Sequence, residues 1–410
     1  MLKNLSIIFI LSSRNVLRNP RRSILTLLAI SFGLAGTIVV SSLARGLSYN
    51  LAKDTIDHLT GHIQIHAENY LEDPDVSNSI SEIPPKLEKV MKSPQILKKA
   101  ERVRVPGIVM SERESYGVMI VGINPKEELG LSFIAESVNE GKFFDHDSDD
   151  GIIIGRKLLE LLQTDIGKRV VVMSQDVKNE ISDKGVRIIG VFDSQFESTE
   201  KSFVFLSIKK AQGLLGLDAK ISEISLVTKD YENLEPTLSN LQSSAPNLDV
   251  RGWRDIEKFV SALLDIQGKF LIFWFCIVVI AISFGIVNTL FMAIYERIRE
   301  FGMLQALGMK PIEIQFQVLI ESLLLILIGG FIGNILSVIG IHLLESGIDI
   351  SAFAEGAKRF GIKNVIYPRF VSHDWITANL LVLFLGSLSS FYPAWRASRF
   401  TPANAISRAT

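Results

Sequence analysis

Four long, largely apolar stretches constrain this chain more than any other feature of its sequence. Two of them, residues 270–294 and 316–344, flank a short charged segment at residues 295–315. Two more cover residues 23–43 and 376–392. Crossing ~30 Å of hydrocarbon takes about 20 residues of α-helix, and these stretches are close to that length or longer. The sequence therefore predicts four membrane-spanning helices.

Residues 45–268 contain no comparable stretch, and short apolar runs with a period of two alternate there with helical patterns. Strands are predicted at residues 61–67, 102–111, 116–123, 151–154, 170–174, 186–192, 203–206 and 221–228. Helices are predicted at residues 85–100, 155–163, 207–215 and 231–242, and a loop at residues 72–83. This irregular mixture indicates an α+β domain of one or two lobes. The fold class is thus an α-helical membrane bundle of four spans with a large α+β domain inserted between spans 1 and 2, a domain that the family resemblance described below places in the periplasm.

Basic residues set the predicted orientation, because short cytoplasmic segments carry an excess of Lys and Arg. Residues 1–22 hold Lys3 and four arginines, and no acidic residue precedes Asp54. A cleaved signal peptide is the alternative for the first apolar stretch, but the stretch is too long and its basic flank too extended. The predicted segments are a cytoplasmic amphipathic N-terminal helix (1–22), span 1 (23–44), the periplasmic domain (45–268), span 2 (269–294), a cytoplasmic coupling helix (295–313), span 3 (314–344), a periplasmic loop (345–375), span 4 (376–393, ended by Pro393) and a cytoplasmic tail (394–410).

Several kinds of chemistry are excluded or disfavoured by the sequence. A net charge of −1 gives no sign of nucleic-acid binding, and the one cysteine, Cys276, excludes a disulfide framework. No Gly-x-x-x-x-Gly-Lys-Ser/Thr motif occurs, so the chain is not its own ATPase of the P-loop type. His62 and His66 share a strand face but stand ~13 Å apart, too far to bind one metal ion. Residues 145–151 begin like a calcium loop but lack its glycine and its final glutamate, so a solvated acidic turn is expected.

A few residues inside the predicted spans are candidates for packing or polar roles. Gly329 and Gly333 form a small-xxx-small step that permits close contact between helices. Asn288, Glu321 and Asn334 are polar residues at membrane depth, where such groups are functional candidates. For Glu321, hydrogen bonding or an approach of its carboxylate to the headgroup region is the structural alternative.

The charged segment between spans 2 and 3 predicts a short amphipathic helix. Its first turn carries Glu296, Arg297, Arg299 and Glu300, and apolar residues then recur at three-residue steps, namely Ile298, Phe301, Leu304 and Leu307. Gly308 favours a helix end and Pro311 favours the first turn of the next helix. Spacing alone leaves two interpretations open, an interfacial helix packed on lipid and its own bundle or a docking element for a partner.

This architecture resembles the FtsX-like ABC transporter permeases, a group that includes the lipoprotein-releasing permeases and the macrolide-exporter type and acts by mechanotransmission. Residues 296–308 (ERIREFGMLQALG) resemble the family pattern E-x-x-x-E-[IFV]-[GA]-x-[LM]-[RKQ]-A-[LI]-G. Residues 14–23 (RNVLRNPRRS) look like the segment that leads into the family's first span. Residues 140–144 and 152–158 are similar to a strand–helix step of its exterior domain, whereas residues 166–168 (IGK) depart from the usual Gly-Asp.

The resemblance implies a set of partners. The 296–308 helix would dock on a separate ABC ATPase subunit that binds ATP and Mg²⁺, while this chain binds no cofactor and is not an enzyme. The residues implied in this contact are Glu296, Arg297, Ile298, Arg299, Glu300, Phe301, Met303, Leu304, Leu307 and Gly308. A second permease copy or a paralogue would complete a dimer, in contact with membrane lipids and with a lipoprotein or other amphipathic cargo.

Three functions remain open from the sequence. We expect the chain to transmit ATP-driven motion to its periplasmic domain and to extract lipoproteins from the outer leaflet of a bacterial inner membrane. The alternatives are efflux of peptides or hydrophobic drugs with a periplasmic adaptor and regulation of a cell-wall hydrolase. A membrane-anchored enzyme is disfavoured, because no nucleophile–base pair or metal-ligand set stands out.

Overall fold

A computed structural model of the chain describes residues 2–18, 20–194, 196–231, 233–349 and 365–399. Its helices are α1 (Leu2–Arg18), α2 (Pro20–Thr55), α3 (Pro85–Met91), α4 (Pro125–Glu128), α5 (Ile134–Ser137), α6 (Arg156–Leu161), α7 (Glu197–Ser202), α8 (Ile208–Leu215), α9 (Glu235–Ser244), α10 (Trp253–Ile256), α11 (Lys258–Glu296), α12 (Ile298–Ala306), α13 (Pro311–Leu343) and α14 (Ser372–Ser398). A π-helical turn, Ile56–Thr60, follows α2. Residues 350–364 of the predicted 345–375 loop and residues 400–410 of the predicted 394–410 tail lie outside the described residues.

The strands are β1 (Ile63–Ala67), β2 (Ile96–Met110), β3 (Ser115–Ile123), β4 (Val138–Gly141), β5 (Gly151–Gly155), β6 (Arg169–Gln175), β7 (Ile181–Phe192), β8 (Phe203–Ser207), β9 (Glu223–Thr228), β10 (Leu248–Gly252), β11 (Ile348–Asp349) and β12 (Val365–Ile366). The described residues divide into two compact units. One is a helical unit of residues 2–49, 264–349 and 365–399, and the other is a sheet unit of residues 50–263.

Among the described residues, four helices are long and apolar enough to cross a membrane, namely α2, α11, α13 and α14. The helical unit has an apolar core of its own, to which α2 contributes Ile30, Leu34 and Ile38 and α11 contributes residues such as Phe275 and Ile282. The outward faces of the spans remain apolar and exposed, as a lipid-facing surface requires.

The fourth span extends beyond the point at which the sequence predicted its end. Pro393 lies inside α14, which continues to Ser398, so the prediction that Pro393 ends this helix is wrong. Proline removes one backbone hydrogen bond, but membrane helices tolerate this loss where neighbouring groups compensate. Ala394 and Ala397 are fully buried in the bundle core, and this packing favours continuation of the helix past the proline.

The sheet unit is built on one mixed sheet of ten strands in the order β10-β1-β9-β2-β3-β8-β5-β7-β4, with β6 pairing to both β2 and β7. Because β6 joins β7 back to β2, six strands (β2, β3, β8, β5, β7 and β6) form a closed circuit. The β3–β8 and β5–β7 pairs are parallel and the other pairs are antiparallel. The predicted α+β domain is thus confirmed, and its described strands form one sheet rather than two lobes.

Two errors in the predicted elements of this unit have a physical reason. The helix predicted at residues 85–100 ends at Met91, and β2 begins at Ile96. Pro94 cannot continue the helix, and residues 96–102 pair instead with β9. The sequence pattern also missed β4 and β10, whose half-exposed residues lack a clear alternation of apolar and polar side chains.

Candidate functional site at the α11–α13 connection

A separate short helix, α12, connects α11 to α13. Arg297 adopts φ −108° and ψ 15°, which breaks the helix between α11 and α12. At the other end Gly308 has a φ of +97°, a left-handed conformation that glycine adopts without strain. The N–H of Met309 then donates to the carbonyl of Leu304 at 3.0 Å, which completes a common C-terminal helix motif. The predicted helix stop at Gly308 and the predicted start of α13 at Pro311 are both confirmed.

The two sides of α12 face different surroundings. Phe301 is 1% exposed and packs in the core of the helical unit, with Leu304 partly buried beside that core. On the opposite side Met303 is 61% exposed and Leu307 is 81% exposed, next to the exposed side chain of Arg299. The helix therefore has one side attached to its own bundle and one open side of mixed apolar and basic character.

This arrangement corrects the predicted docking ridge of Ile298, Phe301, Leu304 and Leu307. The structure buries Phe301, half-buries Ile298 and Leu304, and exposes Leu307. A three-residue step turns an α-helix by about 300°, so four such positions drift to opposite sides of the helix. Residues four apart, such as Arg299 and Met303, lie closer to one face of the helix. The open side is therefore defined by Arg299, Met303 and Leu307.

Glu296 and Glu300 form ion pairs with the N-terminal helices. Arg22, at the start of α2, pairs with Glu296, and Arg18, at the end of α1, pairs with Glu300. Sequence reasoning missed both arginines as partners. The signal for them was a matched spacing, because the two arginines and the two glutamates are each four residues apart. These carboxylates are therefore occupied within the chain.

Arg297 joins the same region to α13 from the inside. Its guanidinium donates to Glu321 at 2.9 Å and to Glu300 at 3.1 Å, and it lies 5.1 Å from the ring centre of Phe301. Arg297 is 6% exposed and Glu321 is 8% exposed. Burial opposes the charge of Glu300, but the hydrogen bonds from Arg18 and Arg297 hold the pKa of Glu300 below its usual value. Glu321 therefore forms a structural ion pair with Arg297.

The cluster is internally neutral and closely packed. Its three arginines, Arg18, Arg22 and Arg297, match its three glutamates, Glu296, Glu300 and Glu321. A cavity of about 20 Å³ lies among these side chains, which is room for a single water molecule. The arrangement suits a rigid joint between helices.

The remaining predicted residues of the spans lie apart from this cluster. A Cβ atom added to Gly333 would lie 2.9 Å from the backbone oxygen of Ser31, so Gly333 packs directly on α2, and Gly329 does the same against Ile30. Asn334 donates to Asn379 of α14 at 2.8 Å. Asn288 is exposed on the outer face of α11. The structure does not bring these residues together into one site.

A second ion pair, missed by the sequence analysis, joins α2 to the other end of α14. Arg45 donates to both carboxylate oxygens of Asp374, at 2.7 and 2.8 Å, and Ser41 donates to the same carboxylate at 2.7 Å. Asp374 is 7% exposed, so this bidentate pair is largely shielded from solvent. It fixes the first turn of α14 against α2.

The sheet unit contains its own buried ionic cluster, at Arg102. Its guanidinium makes a bidentate pair with Glu128, at 2.6 and 2.9 Å, and donates to Glu223 at 2.9 Å. A further bond runs to the carbonyl of Leu59 in the π-helical turn after α2. Arg102 is completely buried, so these acceptors satisfy a charge that water cannot reach. The cluster fixes the end of α2 to strands β2 and β9 of the sheet.

His66 of β1 and His62, which directly precedes this strand, are buried and neutral. The Nδ1 atom of His62 accepts the backbone N–H of Thr228 at 3.0 Å, and burial lowers the pKa of His62 to about 4. His66 stacks on Tyr70 with ring centres 4.9 Å apart, and burial lowers the pKa of His66 as well. The polar face of this strand is thus internal. Within the described ranges, no group of three or more His, Cys, Asp or Glu side chains is arranged to hold a metal ion.

The acidic turn at residues 145–151 is stabilised by local bonds. The carboxylate of Asp149 accepts the backbone N–H groups of Asp145 and His146, at 2.7 and 3.1 Å. Asp147 pairs with Lys209 at 2.8 Å, and Asp150 pairs with Lys210. The turn is thus held by its own backbone and by two lysines of α8.

Four apolar helices with a large mixed-sheet domain between the first and second define a multi-pass membrane protein. Two family profiles match this chain, the MacB-like periplasmic core domain at residues 23–244 and the FtsX-like permease C-terminal domain at residues 272–402. Because the first match alone covers more than half of the chain, the chain belongs to the family of FtsX-like permeases that carry a MacB-like periplasmic core domain. The resemblance found in the sequence is thus confirmed, and the chain is an inner-membrane protein with this domain in the periplasm.

The relatives of this chain are distant. The lipoprotein-releasing system transmembrane protein LolC of Buchnera aphidicola is 23% identical over 402 residues, which cover 94% of this chain and 93% of that protein. The macrolide export ATP-binding/permease protein MacB of Campylobacter jejuni is 23% identical over 435 residues, which cover 98% of this chain but 61% of that protein. An uncharacterized ABC transporter permease of Methanocaldococcus jannaschii is 24% identical over 55% of this chain and 56% of its own length.

Solved structures also resemble parts of the chain. The periplasmic region of MacB from Actinobacillus actinomycetemcomitans has a TM-score of 0.35 at 14% identity, covering 52% of this chain and 98% of that one. The extracellular domain of the noncanonic ABC-type transporter YknZ has a TM-score of 0.33 at 14% identity, covering 47% of this chain and all of that one.

Proposed function

We propose that this chain is the permease subunit of an ABC transporter and that α12 receives motion from a separate ATPase subunit. The observation that carries the proposal is the division of α12 into an anchored side and an open side. Phe301 and the ion pairs of Glu300 hold one side to the bundle, while Arg299, Met303 and Leu307 remain exposed. An apolar centre beside a positive charge is suited to a specific protein contact.

Motion applied to α12 has direct routes into the bundle. The Arg297–Glu321 pair couples α12 to α13, and the Arg18–Glu300 pair couples it to α1. At 1.5 Å per residue, the 39 residues of α11 extend about 58 Å, nearly twice the ~30 Å of a hydrocarbon core. A continuous helix of this length carries a displacement from its cytoplasmic end toward the periplasmic domain.

ATP and Mg²⁺ belong to the partner in this proposal. The sequence contains no P-loop motif, and on this ground we assign ATP binding to the separate subunit. The chain itself is non-catalytic and acts as the mechanical part of the transporter. A second permease, a copy or a paralogue, completes the assembly.

The cargo that we propose is a lipoprotein taken from the outer leaflet of the inner membrane. The support is the LolC relative, which aligns over 94% of this chain and 93% of its own length. The acyl chains of such a cargo require only apolar walls, and the exposed faces of the spans provide them. Efflux of hydrophobic drugs is the second candidate, supported by the MacB relative that aligns over 98% of this chain.

Membrane vesicles that contain the chain and the ATPase copurified with it would test both candidates. We expect ATP-dependent transfer of a fluorescent triacylated lipoprotein to a soluble acceptor protein. Met303→Asp/Leu307→Asp should abolish this transfer, whereas Ile181→Asp, at a site 77% exposed in the sheet unit, should not. ATP-dependent movement of a macrolide without lipoprotein transfer would favour efflux. Full lipoprotein transfer by the α12 variant would contradict the coupling role of this helix.

A further inference from the structure

An exposed cluster of aromatic and basic side chains lies at the cytoplasmic ends of α11 and α14. It consists of Phe291, Tyr295, Tyr392, Trp395, Arg396 and Arg399. Phe291 contacts Tyr392 edge to face across the two helices, with ring centres 5.7 Å apart. Tyr392 stacks on Trp395 along α14 at 6.3 Å and an angle of 27°. The rings form a continuous surface on the outside of the bundle, with Tyr295, Tyr392 and Trp395 between 41% and 54% exposed.

Two arginines are held on this aromatic surface. The Arg399 guanidinium lies 4.4 Å from the ring centre of Trp395, and Arg396 donates to the hydroxyl of Tyr392 at 3.4 Å. Both arginines are exposed, and neither has a carboxylate within ion-pair distance among the described residues. The undescribed residues 400–410 contain no Asp or Glu. This end of α14 therefore carries two positive charges that no side chain of the cluster neutralises.

The contrast with the neighbouring arginines is informative. Arg18, Arg22 and Arg297 at the same end of the bundle each have a glutamate partner. The Arg399 guanidinium lies over the face of Trp395, and a guanidinium in a cation–π contact can still donate its N–H groups to an acceptor. Residues three apart on a helix share a face, so Arg396 and Arg399 present their donors toward one region.

We infer that this cluster is a binding site for the phosphate of an anionic phospholipid in the cytoplasmic leaflet. Guanidinium groups bind phosphate oxygens through paired hydrogen bonds, which compact ammonium groups do not provide. Tyrosine and tryptophan rings are preferred at the level of the headgroups, where an apolar ring meets a polar edge. The cluster combines both properties at one position, because its rings lie on the last turns of two membrane spans.

The same observations favour a lipid over a protein partner. The rings belong to the outward faces of spans, and Leu388 and Phe391, which precede them on α14, are 58% and 53% exposed. A surface continuous with the lipid-facing side of the bundle is occupied by lipid in the membrane. The site is separate from the open side of α12, so it goes beyond the function proposed above.

Native mass spectrometry of the detergent-solubilised full chain, titrated with dioleoyl-phosphatidylglycerol, tests the inference. One retained lipid is expected to depend on Arg396 and Arg399. Each arginine near a lipid surface contributes about 5-fold in affinity, so Arg396→Gln/Arg399→Gln should weaken binding by about 25-fold. Phosphatidylcholine should bind poorly, and excess inorganic phosphate should not displace the lipid, because the acyl chains are part of the recognised group.

Matched variants separate a built site from diffuse positive charge. Arg14→Gln/Arg21→Gln removes two exposed arginines that have no aromatic stack and should leave the retained lipid in place. Arg396→Lys/Arg399→Lys keeps the charge but removes the planar donors, so it should weaken binding measurably, though less than Arg396→Gln/Arg399→Gln. Equal losses of lipid affinity in Arg14→Gln/Arg21→Gln and Arg396→Gln/Arg399→Gln would overturn the inference. Full lipid binding by Arg396→Lys/Arg399→Lys would overturn it as well. Displacement of the lipid by phosphate alone would also overturn it. So would tight binding of the ATPase to the cluster with no retained lipid, which would assign the cluster to the protein partner instead.

Discussion

Arg297 donates a hydrogen bond to Glu321 at 2.9 Å in a part of the bundle where both residues are less than 10% exposed. Arg297 occupies the break between α11 and α12, and Glu321 lies about three turns into α13. The pair therefore ties the short helix to the span that follows it. Each charge is stable in this position only because the other is present.

Glu321→Ala should destabilise the helical unit by about 3–5 kcal/mol, because it leaves the Arg297 guanidinium buried without its main partner. Thermal unfolding of the purified chain in detergent measures this loss. Asn288→Ala, at an exposed position of α11, is the matched control and should leave the midpoint unchanged. The double variant Arg297→Met/Glu321→Leu should recover most of the stability, since it removes both charges. A double variant as unstable as Glu321→Ala would argue against an ion pair as the cause.

The Arg18–Glu300 pair predicts a rescue by charge exchange. Glu300→Arg should weaken ATPase association modestly, because it places a third cation beside Arg18 and Arg297 and displaces α12. Arg18→Glu/Glu300→Arg should restore association only in part, because the new arginine pairs with the new glutamate but still lies beside Arg297. Exposed pairs contribute only about 0.2–1 kcal/mol, so a change of up to about 5-fold is expected, measured as the dissociation constant of the ATPase. If Glu300 instead contacts the ATPase directly, the exchanged pair will remain as weak as the single variant.

The open side of α12 predicts a separation of binding from stability. Met303→Asp/Leu307→Asp should lower ATPase association more than 10-fold, since charges replace the apolar centre of the contact. Its unfolding midpoint should stay close to wild type, because these side chains are 61% and 81% exposed. Phe301→Asp should do the opposite and destabilise the chain itself. Association assays and thermal unfolding on the same preparations distinguish the two effects.

The sequence predicted the elements of this region better than their contacts. The spans and α12 were predictable because hydropathy, Gly308 and Pro311 are local signals. The partner of Glu300 was not predictable in the same way, because Arg18 is 282 residues away in the chain. Only one signal pointed to it: Arg18 and Arg22 are four residues apart, as are Glu296 and Glu300. Such spacing has many other causes.

The sheet unit shows the same division between local and distant information. Residues 96–100 have a helical pattern, but their strand conformation depends on pairing with β9, more than 120 residues later. The burial of His62 and His66 likewise depends on strands that arrive from both sides of β1. An isolated alternation of polar residues indicates a shared face and cannot show whether solvent or protein covers it.

Gly333 and its neighbour Gly330 offer a matched pair of substitutions. Gly333→Ala would place a Cβ atom 2.9 Å from the backbone oxygen of Ser31, so α2 and α13 must separate. Overpacking of this kind costs about 1–3 kcal/mol, which should appear as a lower unfolding midpoint. Gly330→Ala meets nothing within 4 Å and should be neutral or slightly stabilising. Equal effects of the two substitutions would mean that close contact with α2 is not the reason for glycine at position 333.

His62 predicts a loss of stability in acid. Its pKa is about 4 in the folded protein, because burial disfavours the charged ring, against 6.5 in the unfolded chain. The unfolded state therefore takes up a proton first as the pH falls below 6.5, and stability declines until about pH 4, where both states are protonated. This difference in pKa corresponds to a loss of about 3 kcal/mol in the free energy of unfolding.

His62→Asn keeps an acceptor for the N–H of Thr228 but does not titrate. Denaturant unfolding of both proteins at pH 7 and pH 4 measures the effect. The free energy of unfolding of His62→Asn should fall by about 3 kcal/mol less than that of the wild type. Parallel pH profiles of wild type and His62→Asn would show that this histidine is not the titrating group.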